Sequence, residues 1–294
     1  MTVLYTSAYA KLNLYLDVIG KREDGYHNIE SLMQAVTLRD DMEIQIGTKQ
    51  PWLIDSDRDD VPTNEDNLCW KAAEVFFEAT GENPDGLTVH ILKRIPMGAG
   101  LGGGSADAAA LLRALDVHFG KPLSLDALCK LGAKVGSDVP FCVLGGTAIV
   151  EDKGQLLFPI IHGPQLYYVI CKPEESVSTK NMYDLLDAQN YQPAAGTKRI
   201  VNGIRNHNYA QIAKNLYNVF EPLCMEQVPE IGKIKQQLKQ YGALGAQMTG
   251  SGSAVFGLFD SFEKAAEACE TLHEKYPQTF LATNGEQELE ASSC

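Results

Sequence analysis

The chain has 294 residues, 45% of them hydrophobic, and a formal net charge of −13. That is enough material for one large or two ordinary domains, and with no basic patch beyond pairs such as Lys198-Arg199 it excludes a nucleic-acid binder as the expected class. Seven cysteines, odd in number, scattered and without a C-x-x-C pair, suit a reducing compartment and argue against a zinc site. Residues 1–10 lack the basic start and apolar stretch of a signal peptide. No run reaches the ~18 apolar residues of a membrane span, so a cytoplasmic protein with no membrane partner is expected.

Residues 8–18 alternate with period two. Ala8, Ala10, Leu12, Leu14, Leu16 and Val18 share one face of a predicted strand, and Tyr9, Lys11, Asn13, Tyr15 and Asp17 the other. Alternation alone reads the second face as solvated, with Lys11 and Asn13 pointing the same way. A turn at 21–25 leads to Tyr26-His27, a pair that position alone leaves open between a structural and a binding role. Residues 36–46 read as more strand, with Asp40-Asp41 in a turn, and 50–67 as polar loop, with or without a strand. Helical spacing over 68–80 predicts a helix capped by Asp66 or Asn67. Residues 87–92 alternate as a strand ending at Lys93-Arg94.

Residues 96–110 then read P-M-G-A-G-L-G-G-G-S-A-D-A-A-A, with five glycines between Gly98 and Gly104. A run so dense is expected to be a loop, because glycine carries a large conformational entropy cost in regular structure. It precedes a predicted helix over 105–119. Strand, glycine loop and helix in that order offer backbone N–H groups and a positive helix end to a phosphate, though a packing hinge is the bland alternative. Ser124 is expected to cap a helix ended by Gly136. Pro140 pushes Val139 toward an extended conformation, which puts Asp138 in a loop before a strand over 141–150, by default as a solvated turn aspartate. The Gly- and Pro-bearing stretch 151–165 is the candidate domain boundary, dividing the chain into 1–158 and 159–294. Beyond it come a buried strand (166–171), a short helix carrying Tyr183 (181–188), helices over 209–220 and 230–241, a glycine-punctuated stretch ending T-G-S-G-S at 249–253, a strand (254–259), a helix capped by Ser261, and an acidic tail (284–294) expected to fray.

Four standard phosphate-loop and nucleophile readings fail. Gly98, Gly100 and Gly103 satisfy G-x-G-x-x-G, but no second strand with its acidic residue follows. Gly104 stands where a Walker A lysine belongs, no H-R-D or D-F-G occurs, and Gly103-Gly104-Ser105-Ala106-Asp107 lacks the last glycine of a nucleophile elbow.

The glycine run resembles the loop of the GHMP kinases, the superfamily of galactokinase and the homoserine, mevalonate and phosphomevalonate kinases. Y-A-K-L-N-L at 9–14 resembles their N-terminal element, with Tyr9 in place of the usual proline, and M-T-G-S-G-S-A-V-F at 248–256 their C-terminal glycine motif. Within that superfamily, A-K-L-N-L, D-G-Y-H (24–27), E-D-N-L (65–68) and S-D-V-P-F (137–141) together resemble the kinases of a cytidyl diphosphate sugar alcohol on the methylerythritol phosphate route to isoprenoids. The resemblance implies two α+β domains, the first like domain 2 of ribosomal protein S5 and the second ferredoxin-like, with ligands in the cleft between. It implies ATP with Mg2+ as the phosphate donor and transfer to the 2-hydroxyl of the small-molecule substrate.

By the same resemblance Lys11 and Asp138 form the catalytic pair, Asp138 taking the hydroxyl proton while Lys11 holds it ionised and steadies the developing charge. Asn67, Lys93, Pro96, Gly98, Gly100, Leu101, Gly102, Gly103, Gly104 and Ser105 would line the ATP site. Asn13, Tyr26, His27, Tyr183, Thr249, Gly250 and Ser251 would hold the substrate, with Tyr26 and Tyr183 on the two faces of the cytosine and His27 hydrogen-bonding its edge. The metal ligands stay open, with Ser105 a candidate. Another GHMP kinase, of mevalonate or homoserine type, and a catalytically silent ligand-binding member are the alternatives. Monomer and homodimer are both compatible with the sequence.

Overall fold

The computed structural model describes residues 1–120, 123–194, 196–284 and 292–293. Its elements in chain order are β1 (Thr2–Lys21), β2 (His27–Ile46), β3 (Leu53–Ser56), α1 (Leu68–Thr80), β4 (Leu87–Leu92), α2 (Gly103–His118), α3 (Leu125–Val135), α4 (Val139–Leu144), β5 (Thr147–Asp152) and β6 (Leu156–Pro159). There follow β7 (Tyr167–Cys171), α5 (Thr179–Asp187), α6 (Lys198–Arg205), α7 (Tyr209–Lys214), β8 (Tyr217–Asn218), α8 (Glu221–Gln227), α9 (Glu230–Gln240), β9 (Gly245–Met248), β10 (Val255–Phe259), α10 (Phe262–His273), β11 (Thr279–Thr283) and β12 (Ser292–Ser293).

The frame of the first sheet is the antiparallel pair β1–β2, each strand 20 residues long. Its register breaks between Tyr9↔Arg39 and Lys11↔Ala35, two positions on β1 against four on β2. On one side of the break β2 pairs with β4, and on the other with β5. Such an irregularity interrupts the ladder and re-aims side chains. Here the freed Lys11 N–H donates instead to Leu101 O in the glycine loop, at 3.0 Å. The second sheet is antiparallel throughout, in the order β11-β7-β10-β9. Its central strands β7 and β10 are buried on both faces: Tyr168 and Ile170 join the core shared with the first sheet, while Val169 and Cys171 join the cluster that includes α8, α9 and α10.

Several expectations change. The second face of β1 is not solvated: Lys11, Asn13, Tyr15 and Asp17 are all buried, because the 217–218 and 249–252 segments close over it and Tyr191, Ala194 and Gly196 bond to Asp17 and Tyr15. No turn forms at Asp40-Asp41, since the Asp40 carboxylate turns inward and takes the Arg94 and Ile95 N–H groups. After Asp138 the chain forms α4, and the strand expected over 141–150 begins only at Thr147, as β5. Pro140 lies in its first turn, where a missing N–H costs nothing. The 209–220 helix stops at Lys214, and Tyr217–Asn218 pairs in parallel with Tyr15–Leu16. Two strands, β9 and β11, and the helix α8 carried no clear period in the sequence. Asn67, Ser124 and Ser261 cap their helices as their types predict. Of the 284–294 tail, Asn284 bridges to Val36 and β12 pairs with β1; most of that stretch lies outside the described residues. The six described cysteines form no disulfide with one another, and among the described residues no helix is long and apolar enough to cross a membrane.

Candidate active site

A cleft of about 740 Å³ gathers Lys11 and Asn13 from β1, Tyr26 from the β1–β2 turn, His27 from the start of β2, residues 96–105, Asp138, Tyr183 from α5 and the 250–252 loop. Six stretches of the sequence therefore meet in one cavity.

The glycine loop is made by two kinds of constraint. Gly98, Gly100 and Gly102 all have positive φ, at 60°, 73° and 72°, which side chains rarely tolerate. The loop also lies against other backbone. A Cβ on Gly100 would fall 2.2 Å from Thr249 O, and one on Gly102 would meet the Lys11 stem at 3.0 Å. The absent side chains let two glycine loops and the Lys11 side chain share one wall. α2 begins at Gly103, two residues before the expected Ser105, and its N-cap Gly102 makes no side-chain cap bond. The first-turn N–H groups of α2, which have no intrahelical partners, thus open on the cleft, the arrangement that suits an anion.

Lys11 Nζ lies 3.5 Å from Asp138 Oδ2 and donates to Asn13 Oδ1 at 2.6 Å. Its side chain is buried and Asp138 is about one-third exposed, so the lysine forms the floor and the carboxylate faces the cavity. Asn13 is held in turn: its Nδ2 donates to Ser31 Oγ at 2.9 Å, and its backbone N–H donates to Thr249 Oγ1 at 2.9 Å. Thr249 is fully buried and does not line the cavity. It ties β1 to the second glycine loop, whose Gly250 and Ser251 do face the cleft. Asn218, which sequence reasoning missed, supports that loop by donating to Met248 O at 2.9 Å and Gly250 O at 2.8 Å.

At the other end, the Tyr26 ring is exposed with Lys153 Nζ 5.0 Å from its centroid. His27 stacks on Tyr183, centroids 4.7 Å apart and planes 26° from parallel. Burial pushes the Tyr183 phenol up to about 12, and the Asp138 charge adds to it, so it is a neutral ring wall at physiological pH. Asp187, Lys21 and Lys153 line the same end. None carried a motif, and only the fold brings α5 against the hairpin tip.

Two expected nucleotide contacts sit elsewhere. Asn67 is the α1 N-cap, its side chain spent on Cys69 N and Pro62 O. Lys93 does not face the cleft; its buried ammonium lies 2.5 Å from Asp40 Oδ2 and 2.6 Å from Asp107 Oδ2. Two carboxylates against one cation leave an excess negative charge out of water, and Asp107 Oδ1 has no partner among the described residues. Burial above all, with Asp40 adding, pushes the Asp107 carboxyl up to about 7. Raised above its unfolded value, the group contributes stability fully below the ordinary carboxylate range, and that contribution is lost as pH rises toward 7. Asp107→Asn should abolish this loss. Urea midpoints of the variant and the unaltered protein should diverge in the variant's favour between pH 4 and 7, and parallel curves would refute the assignment.

Residues 67–146 match the GHMP kinases N terminal domain and residues 200–278 the GHMP kinases C terminal domain. A 4-diphosphocytidyl-2-C-methyl-D-erythritol kinase of Caldicellulosiruptor saccharolyticus is 40% identical over 282 residues, 96% of this chain and 97% of the relative. The chain belongs to the GHMP kinases, in the 4-diphosphocytidyl-2-C-methyl-D-erythritol kinase family. A crystal structure of a 4-(cytidine 5'-diphospho)-2C-methyl-D-erythritol kinase superposes with a TM-score of 0.79 at 30% identity, covering 96% of this chain and 100% of the other. A homoserine kinase from Cytophaga hutchinsonii shares the fold, with a TM-score of 0.77 at 18% identity over 100% of this chain and 98% of the other. This GHMP kinase is thus an ATP-dependent small-molecule kinase of mixed α+β fold.

Proposed function

We propose that the enzyme transfers the γ-phosphoryl group of ATP to the 2-hydroxyl of 4-diphosphocytidyl-2-C-methyl-D-erythritol. The observation that carries the reading is the single cleft that holds the Lys11–Asp138 pair, the α2 N-terminus and the Tyr26, His27 and Tyr183 rings together. A mevalonate or homoserine acceptor offers those rings no planar base to hold.

The 98–104 backbone and the first turn of α2 seat the triphosphate. Asp138 accepts the proton of the acceptor hydroxyl as its oxygen bonds to the γ-phosphorus, and the bond from that phosphorus to the ADP oxygen breaks. Lys11, steadied by Asn13, offsets the Asp138 charge and the charge that develops on the transferring group. Among the described residues no cluster of three His, Cys, Asp or Glu could cage a metal. The Ser105 hydroxyl, in the first turn of α2 and on the cleft, fits magnesium, which keeps waters and shares substrate phosphates. Magnesium would neutralise phosphate charge there.

The test is parallel phosphorylation of the cytidyl compound, mevalonate and homoserine by purified enzyme with ATP and magnesium. Turnover confined to the cytidyl compound is expected, and preference for either aliphatic alcohol overturns the reading. Tyr26→Ala should raise KM for the cytidyl substrate by about 10- to 100-fold, the worth of one base–aromatic stack, with KM for ATP unchanged. An unaltered cytidyl KM would remove Tyr26 from the base site.

A further inference from the structure

Lys21 and His27 are cross-strand partners at the tip of the β1–β2 hairpin, and both are held by one carboxylate from the other half of the chain. Asp187 Oδ2 takes Lys21 Nζ at 2.5 Å and Asp187 Oδ1 lies 2.7 Å from His27 Nε2. Asp187 sits four residues after Tyr183 on α5, so the two share a helix face. That face fixes the His27 imidazole twice, by its plane through Tyr183 and by one ring nitrogen through Asp187. The His27 side chain is only 8% exposed, so its ring has little freedom to turn.

We propose that Asp187 is a specificity-determining positioning residue: by accepting the Nε2 proton of His27 it leaves Nδ1 as a lone-pair acceptor, matched to the exocyclic amine of cytosine and mismatched to the carbonyl oxygen of uracil. The inference rests on the cytidyl reading above. Its chemistry is that of the two functional groups. An ionised carboxylate only accepts hydrogen bonds, so the nitrogen facing it must carry the proton, and a neutral imidazole has only one to place. Among the described residues no hydrogen bond reaches His27 Nδ1, and His27 lines the cleft. Lys21 foremost, and His27 after it, hold the Asp187 carboxyl below its usual range, which keeps it in the accepting form. Cytosine presents N4–H₂ as a donor where uracil presents O4 as an acceptor, so an acceptor on the protein separates the two bases.

The experiment measures kcat/KM for the cytidine diphosphate-linked substrate and for its uridine analogue, in the unaltered enzyme and in Asp187→Asn and Asp187→Ala. It is paired with the 15N spectrum of the His27 ring. The unaltered enzyme should prefer the cytidine compound by ~100-fold or more, since a site built for one donor rejects its replacement strongly. Asp187→Ala should cut that ratio by about tenfold or more and populate the Nδ1–H tautomer, with KM for ATP unchanged. Asp187→Asn, whose amide can accept or donate, should fall between. Undiminished discrimination in both variants overturns the proposal, as does a His27 ring carrying a proton on Nδ1 in the unaltered enzyme. Failure of the unaltered enzyme to use the cytidyl substrate defeats the underlying reading instead, and the two failures are separable because the tautomer is read without substrate.

Discussion

Asp138→Asn should lower kcat by about 10²- to 10⁴-fold, the span of a positioned general base, while the dissociation constant for ATP changes little. The substitution keeps size and removes the group that takes the proton. Asp138 makes no cap bond to α4, so helix and fold should survive, and an unchanged urea midpoint is the control. Because the lost interaction is made as the proton moves, kcat and kcat/KM should fall together. Lys11→Met should also be severe, since it leaves Asn13 Oδ1 and Asp138 facing each other without the ammonium between. Lys11 and Asp138 act as one unit, so the double variant should be little worse than either single one. Unchanged turnover in Asp138→Asn would remove it from the mechanism; fully multiplicative losses would break the pair into independent contributors.

How far this site was legible in the sequence differs residue by residue. The glycine run was, because few roles tolerate five glycines in seven positions. Lys11 and Asn13 were visible as a pair on one face of a strand, but not as buried, since Thr249, more than 200 residues away, closes on Asn13 and the Leu101–Gly102 backbone lies against Lys11. Asp138 looked like a turn residue because its helix, α4, has only six residues, too few to print a period. Asp187 and Lys153 were invisible, since each acts through a ring or charge that only the fold brings near. Lys93 shows the reverse. A lysine just before a phosphate loop points to the phosphate, whereas this one is drawn into the core by Asp40 and Asp107. It anchors the loop from behind: Asp40, the carboxylate it neutralises, also takes the two N–H groups leading into the loop. Position in sequence narrows what a charged side chain can reach, and the nearest buried opposite charge decides where it goes.

Gly100→Ala should cost about 2–5 kcal/mol of stability, from ~1–2 kcal/mol for a left-handed side-chain-bearing residue and ~1–3 kcal/mol for overpacking. The added methyl would lie 2.2 Å from Thr249 O, and a backbone atom has no rotamer by which to yield. Either the 98–102 loop or the 249–252 loop must shift. Thr249 Oγ1 holds the Asn13 N–H, and Asn13 Oδ1 receives Lys11, so a shift of the second loop would also displace the catalytic lysine. Turnover should therefore fall beyond what the unfolded fraction explains. Gly104→Ala separates glycine content from glycine geometry. Gly104 carries no positive φ, and a Cβ there meets only Leu68 Cδ1, at an ordinary 3.8 Å. In the first turn of α2, alanine should be neutral or stabilising by up to ~1 kcal/mol. Urea unfolding of the two variants side by side decides the matter: equal midpoints would mean that the contact between the two glycine loops does not hold the site together, whereas a lowered midpoint for Gly100→Ala alone would locate the constraint where the two backbones meet.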